Sequence, residues 1–193
     1  AFSIGEPWQA VVANLGDGTV TGMDLDLKAL IGNIQVGFNM TNIFDAYVNP
    51  MTEYPDARFE GGMADLGLEA KSSLPLFGDL SYSLYSEYSG PISLFGESTE
   101  GFARIQHSYE GESLNELSDS GNAPRLTQGD YRVTDIVMGF DVGEWKAQLS
   151  LNNITDERGI SYRDVSDFDP YYGRYADSVI RPKNYNLSLR RYF

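Results

Sequence analysis

The sequence predicts an all-β chain, an antiparallel meander of long strands with the dimensions of a transmembrane β-barrel wall. Three observations carry this. Apolar residues recur with a period of two through seven segments, the repeat of a strand with one apolar face and not the 3.6 repeat of a helix. The connections between those segments alternate short and long, as in barrels with short turns on one side of the membrane and long loops on the other. No apolar run approaches the ~20 residues of a membrane helix; the best is Ile136-Val137-Met138, followed by glycine and phenylalanine.

The elements follow in order. Ala1-Phe2-Ser3-Ile4 reads as mid-strand sequence, and Glu6-Pro7-Trp8 as a turn or loop. The chain therefore reads as lacking the natural N-terminus, whether processed or cut from a longer chain. A first long strand runs from Gln9 to about Ala29, with a bulge expected at Gly16-Asp17-Gly18. Its lower half sets Met23, Leu25, Leu27 and Ala29 against Asp24, Asp26 and Lys28. After a tight turn at Ile31-Gly32-Asn33, Ile34, Val36, Phe38 and Met40 oppose Gln35, Gly37, Asn39 and Thr41. Residues 47–79 are irregular and rich in proline and glycine, with a short helix expected within Arg58 to Lys71. So long a connection is uncommon and often functional.

Strands resume with Leu80, Tyr82 and Leu84 on the apolar face. A turn spans about Pro91 to Glu100. Ala103, Ile105, His107 and Tyr109 then oppose Arg104, Gln106, Ser108 and Glu110. A second loop covers about Gly111 to Gly129. Ile136, Met138, Phe140 and Val142 form the next apolar row. Gly143-Glu144 makes a two-residue hairpin turn, and Trp145, Ala147, Leu149 and Leu151 return. A third loop, about Asp156 to Ser178, precedes the closing strand. There Tyr185, Leu187, Leu189, Arg191 and Phe193 oppose Asn184, Asn186, Ser188, Arg190 and Tyr192. Arg191 interrupts the apolar row and is placed to snorkel to the headgroups at the membrane boundary.

Composition bounds the function. The chain has 193 residues, read as one unit over 1–193. It carries 28 acidic and 14 basic residues, a net charge of −14. Nucleic acid is excluded as a partner on this reading, because phosphate binding needs a basic footprint. Thirteen tyrosines, ten phenylalanines and 20 glycines suit strands, turns and aromatic girdles. Cysteine is absent, so there is no disulfide framework.

A terminal aromatic on an alternating strand resembles the closing strand of bacterial outer-membrane β-barrels. Further stretches resemble the C-terminal third of TonB-dependent outer-membrane receptors. Asn14-Leu15-Gly16-Asp17 followed by Val20-Thr21-Gly22-Met23-Asp24-Leu25-Asp26-Leu27 is similar to one of their strands. Leu74-Pro75 resembles the Leu-Pro before a late strand. Leu149 to Glu157, with Asn152-Asn153-Ile154-Thr155-Asp156, resembles the penultimate strand and its exit, and Arg181-Pro182-Lys183-Asn184-Tyr185 through Leu189 resembles the closing strand. The resemblance covers nearly the whole chain. It implies a fragment in the bacterial outer membrane, since neither the plug domain nor the coupling box is present and seven strands do not close a 22-stranded transporter. It further implies energy-coupled uptake of a scarce nutrient such as a ferric siderophore, with vitamins or glycans as alternatives. The implied partners are outer-membrane lipid, the receptor's own plug, the TonB energy-coupling complex and a small-molecule substrate. No reaction and no cofactor is implied. The alternatives are a self-contained small barrel, porin-like or structural, an outer-membrane hydrolase, and a soluble sandwich or carbohydrate-binding module.

Candidate site residues are few. Tyr171, Tyr172, Arg174 and Tyr175 form an aromatic and basic cluster in the third loop. Rings for stacking and an arginine for an anionic group fit ligand contact; a girdle or loop-packing cluster is the alternative. His107, the sole histidine, falls on the apolar side, whereas catalysis wants it facing water beside a serine or carboxylate. No catalytic residue is therefore assigned. Asp156, Glu157, Asp164, Asp167 and Asp169 make the same loop acidic, but their spacing fits no Ca²⁺ loop, and no metal site is assigned. Asp24, Asp26, Asp135 and Asp141 are expected to line a wet lumen, which removes the cost of burying them. Trp8 and Trp145 read as membrane-interface anchors.

Overall fold

Regular structure in the computed structural model, which describes residues 2–3, 10–11, 16–50, 68–75, 78–94, 96–117, 125–169 and 174–192, is entirely β. The strands are β1 (Phe2–Ser3), β2 (Ala10–Val11), β3 (Gly16–Ile31), β4 (Ile34–Pro50), β5 (Ser72–Ser73), β6 (Leu80–Leu94) and β7 (Glu97–Glu110). They continue with β8 (Ser113–Leu114), β9 (Thr127–Gln128), β10 (Tyr131–Val142), β11 (Trp145–Asn152), β12 (Ile160–Asp169), β13 (Arg174–Val179) and β14 (Asn184–Arg191). The main sheet has the order β14-β11-β10-β7-β6-β4-β3, with β5 beside the upper part of β4. Every neighbouring pair on that path is antiparallel. It is a meander, as the spacing of the apolar segments predicts. β3 and β14 form its two edges, run in the same direction and do not pair with each other, so the sheet is open.

The short connections lie at one end. Val142 pairs with Trp145, so Gly143-Glu144 is a two-residue turn, and Gly143 takes φ 57°, the left-handed conformation that the first position of a tight hairpin turn requires. Leu94 pairs with Glu97. The expected turn over Pro91 to Glu100 is thus shorter than the sequence implied, and β6 and β7 run on to meet it. At the opposite end the connections are long, and their described parts include further strand pairs. Of the helix expected between Arg58 and Lys71, residues 58–67 lie outside the described residues, and 68–71 are not helical. The loop expected over Asp156 to Ser178 is instead a second hairpin, β12 with β13. β8 and β9 pair within the loop expected over 111–129.

The bulge also sits elsewhere than expected. Thr21 pairs with Asp45 and Gly22 with Ile43, so the extra residue is Phe44 on β4, not one of Gly16-Asp17-Gly18. Beyond it the alternation of β4 changes face. Asp45, Tyr47 and Asn49 join Thr21, Thr19 and Asp17, and the apolar row ends there.

Little is buried. Among the described residues, the buried large apolar side chains are Val48, Leu68 and Tyr85. The sheet is one layer, and what Tyr85 covers is backbone. Its ring lies across Gly37, its partner in the ladder, where only a residue without Cβ leaves room. Gln35 Nε2 donates to the Tyr85 hydroxyl at 2.7 Å, and the Arg104 guanidinium stacks on the ring at 4.0 Å. Gly37→Val drives the ring out of this seat. The expected cost is about 1–3 kcal/mol of stability, as for other overpacked sites, against about 1 kcal/mol for Tyr85→Phe, which removes one hydrogen bond. Urea titration of the refolded chain in detergent micelles checks the order; equal midpoints for the two variants and the parent would refute it.

Candidate functional site: two faces and a loop end

Residues directly opposite in an antiparallel ladder project to the same face. The register therefore collects the apolar positions of all seven strands. One row is Ala29, Val36, Ser86, Ile105, Ile136, Leu151 and Tyr185; the next is Ile31, Ile34, Tyr88, Ala103, Met138, Leu149 and Leu187. This face stays open to its surroundings: Leu27 is 54% and Leu187 75% exposed. Toward the long-loop end it turns aromatic. Tyr82 and Tyr109 stack with ring centroids 5.2 Å apart, and His107 and Phe38 flank Tyr82. His107 Nδ1 lies 2.8 Å from Thr134 Oγ1, a threonine on this same face. It thus sits on the apolar side, as its parity in the sequence predicts. Toward the short-turn end, Trp145 lies under the Arg191 guanidinium at 5.5 Å. Trp8 lies outside the described residues.

The other face is polar and bonded across strands. Thr41 Oγ1 donates to Asp24 at 2.7 Å and Asn39 Nδ2 to Asp26 at 2.9 Å. Arg104 pairs with Glu87 at 3.6 Å and donates to Gln106 at 2.8 Å. Lys146 pairs with Asp141 at 3.5 Å. The four strand aspartates singled out in the sequence all belong to this side, and each has a partner. Three are exposed and Asp135 is half-buried, which agrees with a hydrated face.

Between the sheet and the β12–β13 hairpin stands Asn153, 2% exposed and with φ 49°. Asparagine tolerates this left-handed conformation better than most residues. Its Nδ2 donates to the carbonyls of Glu157 and Arg181, both at 3.0 Å, and its Oδ1 accepts from the Glu157 amide at 2.9 Å. Its own amide donates to Asp135 Oδ1 at 2.8 Å. The Asn-Ile-Thr-Asp stretch is thus a joint that ties the exit of β11 to β10 and to the segment entering β14. Its conspicuous sequence carried that signal, though not the partners.

In the hairpin, Arg163 donates to Asp177 through Nε at 2.7 Å and Nη2 at 2.9 Å. This two-pronged bond holds the Asp177 carboxyl below its ordinary value, opposed by partial burial. Of the expected ligand cluster, Tyr171 and Tyr172 lie outside the described residues. Arg174 pairs in register with Asp169 at the start of β13, and Tyr175 follows it; the side chains of both, and those of Asp167 and Asp169, also lie outside the described residues. Asp164 pairs with Ala176. Sequence reasoning missed a cavity of about 420 Å³ at this end, lined by Asp45, Tyr47, Lys71, Asp79, Glu112 and Thr127 among others. Lys71 lies over the Tyr47 ring at 5.5 Å. The lining comes from stretches far apart in sequence, and only the register brings them together.

Two outcomes follow from these bonds. Asn153→Ala leaves three backbone groups without their partner and is expected to lower stability by about 1–3 kcal/mol; Asn153→Gly keeps the φ but not the bonds, and should relieve only the conformational part. Faster protease cleavage between 157 and 183 in both variants, and most in the alanine, is the readout. The Arg163–Asp177 pair has a carboxyl whose folded pKa is depressed. Its contribution is fully present above the unfolded value of about 3.9 and is lost as pH falls through the lower folded value. Hairpin protection from hydrogen exchange should therefore drop on acidification below about pH 4, and Asp177→Asn should flatten that part of the profile. Comparison with protein-family models, characterised proteins and solved structures returns no match for this chain.

Proposed function

We propose that the chain is the C-terminal wall of a bacterial outer-membrane β-barrel of the TonB-dependent receptor type, and that it serves energy-coupled uptake of a scarce nutrient. The observation that carries this is the separation of the two faces. Seven antiparallel strands put their apolar positions on one exposed face and their bonded polar positions on the other. A soluble sandwich would cover the apolar face with a second sheet; a barrel turns it to lipid and the polar face to a wet lumen. Short turns at one end and long loops at the other support the same orientation. The receptor identity rests on the resemblance of the motifs around Val20–Leu27, Leu74-Pro75, Leu149–Glu157 and Arg181–Leu189. On that reading the plug and the TonB-coupling parts belong to other segments of the receptor, and ferric siderophores, vitamins and glycans are the candidate cargoes. On the same reading, Tyr171, Tyr172, Arg174 and Tyr175 contribute to ligand contact from the segment that precedes the closing strand.

The natural absence of cysteine makes a direct test clean. Single cysteines at Val36, Ile105 and Leu149 sample the apolar face, and at Ser83, Gln106 and Gln148 the polar one. In outer membranes of cells making the receptor, a membrane-impermeant maleimide should label only the second set. Equal labelling of both sets would sink the membrane reading. In the same cells, alanine at Tyr171, Tyr172 and Tyr175 together should weaken ligand binding at unchanged surface level; unchanged affinity would return that cluster to girdle or loop packing.

A further inference from the structure

The apolar face is not evenly filled. Near the short-turn end, small residues Ala103 and Ala147 floor a groove of about 450 Å³, walled by Tyr88, Ile92, Phe140 and Leu149, with an almost wholly apolar lining. Two residues beyond Ala147, at the rim, stand Trp145 and its ladder partner Arg191. Arg191 pairs with Glu144 through Nε at 3.3 Å and Nη2 at 3.0 Å. Both side chains remain accessible, 45% for Arg191 and 62% for Glu144. Trp145 shares the face of the groove. Lys146, Asp141 and Arg190 belong to the opposite, polar face, and this arginine and this glutamate form the ion pair beside Trp145 at the groove's rim.

A groove of this size lies within the range that takes a small ligand, and here the lining admits hydrocarbon. The rim offers one positive and one negative group side by side, the positive one over an aromatic ring of the kind that marks the membrane–water boundary. We propose that this is a binding site for phosphatidylethanolamine. One acyl chain occupies the groove, the phosphate meets the Arg191 guanidinium, and the primary ammonium meets the Glu144 carboxylate. A guanidinium recognises phosphate as it does carboxylate, through charge-assisted N–H bonds. Phosphatidylcholine has no ammonium N–H to donate, and phosphatidylglycerol has no cation for Glu144. The proposal rests on the membrane-wall reading given above.

The test reconstitutes the whole receptor that contains this wall into vesicles of equal parts phosphatidylethanolamine, phosphatidylcholine and phosphatidylglycerol. It is followed by flotation, gentle detergent extraction and native mass spectrometry of the lipid that stays bound. The expected result is retained phosphatidylethanolamine, favoured over the other two by about threefold, the scale of an exposed ion pair. Ala103→Leu with Ala147→Leu should remove retention of every lipid. Glu144→Gln, at an exposed turn, should keep the retained lipid but erase the headgroup preference. Equal retention of the three lipids by the parent, or retention untouched by filling the groove, overturns the site while flotation still upholds the membrane wall. A receptor that does not float overturns the wall itself.

Discussion

Every face of this molecule depends on the register of six antiparallel ladders. Side chains alternate strictly along a strand, so a slip of one residue between two neighbours would send an entire apolar row to the wrong side. No large core is available to correct such an error, because the described residues bury few apolar side chains. Register must therefore be fixed locally. Tight turns such as Gly143-Glu144 fix it at one end. Cross-strand bonds such as Thr41 to Asp24 and Asn39 to Asp26, and the Tyr85 ring seated on Gly37, fix it along the length.

The same logic explains where the apolar band stops. β4 has 17 residues, about 58 Å at ~3.4 Å each, more than a tilted strand needs to cross a hydrocarbon core of ~30 Å. The surplus lies beyond Phe44. Because the bulge changes which residues of β4 lie on the apolar side, that side becomes Asp45, Tyr47 and Asn49 just where β3 becomes Thr21, Thr19 and Asp17. One inserted residue thus marks the upper limit of the apolar surface and places the 420 Å³ cavity in the polar zone above it.

Much of the sheet was legible in the sequence because a period of two needs no tertiary information. The segments around Ile34, Ile105, Met138, Leu149 and Leu187 alternate cleanly, and all fall on one face as read. The β12–β13 hairpin was not legible: Arg163, Asp164 and Asp177 give it no apolar row, so its alternation carries no signal. The bulge was assigned to Gly16-Asp17-Gly18 because glycine is its usual marker, yet a bulge belongs to a pair of strands, and the partner's Phe44 shows no sign of it in one dimension. For the candidate site, the Asn153 motif was visible as a motif, while the lining of the cavity required long-range pairing to assemble.

The two edges point the same way, and that has an arithmetical consequence. In a closed barrel with only antiparallel neighbours, strand directions alternate around the ring, so their number is even. Joining β14 to β3 of the same sheet, or to β3 of a second copy in the same orientation, would set two like-directed strands side by side. Strand direction therefore forbids these seven strands from closing on themselves, or on a twin held in the same orientation, by antiparallel pairing. Whatever completes such a ring must contribute an odd number of strands, and its first and last members must both run opposite to β3 and β14.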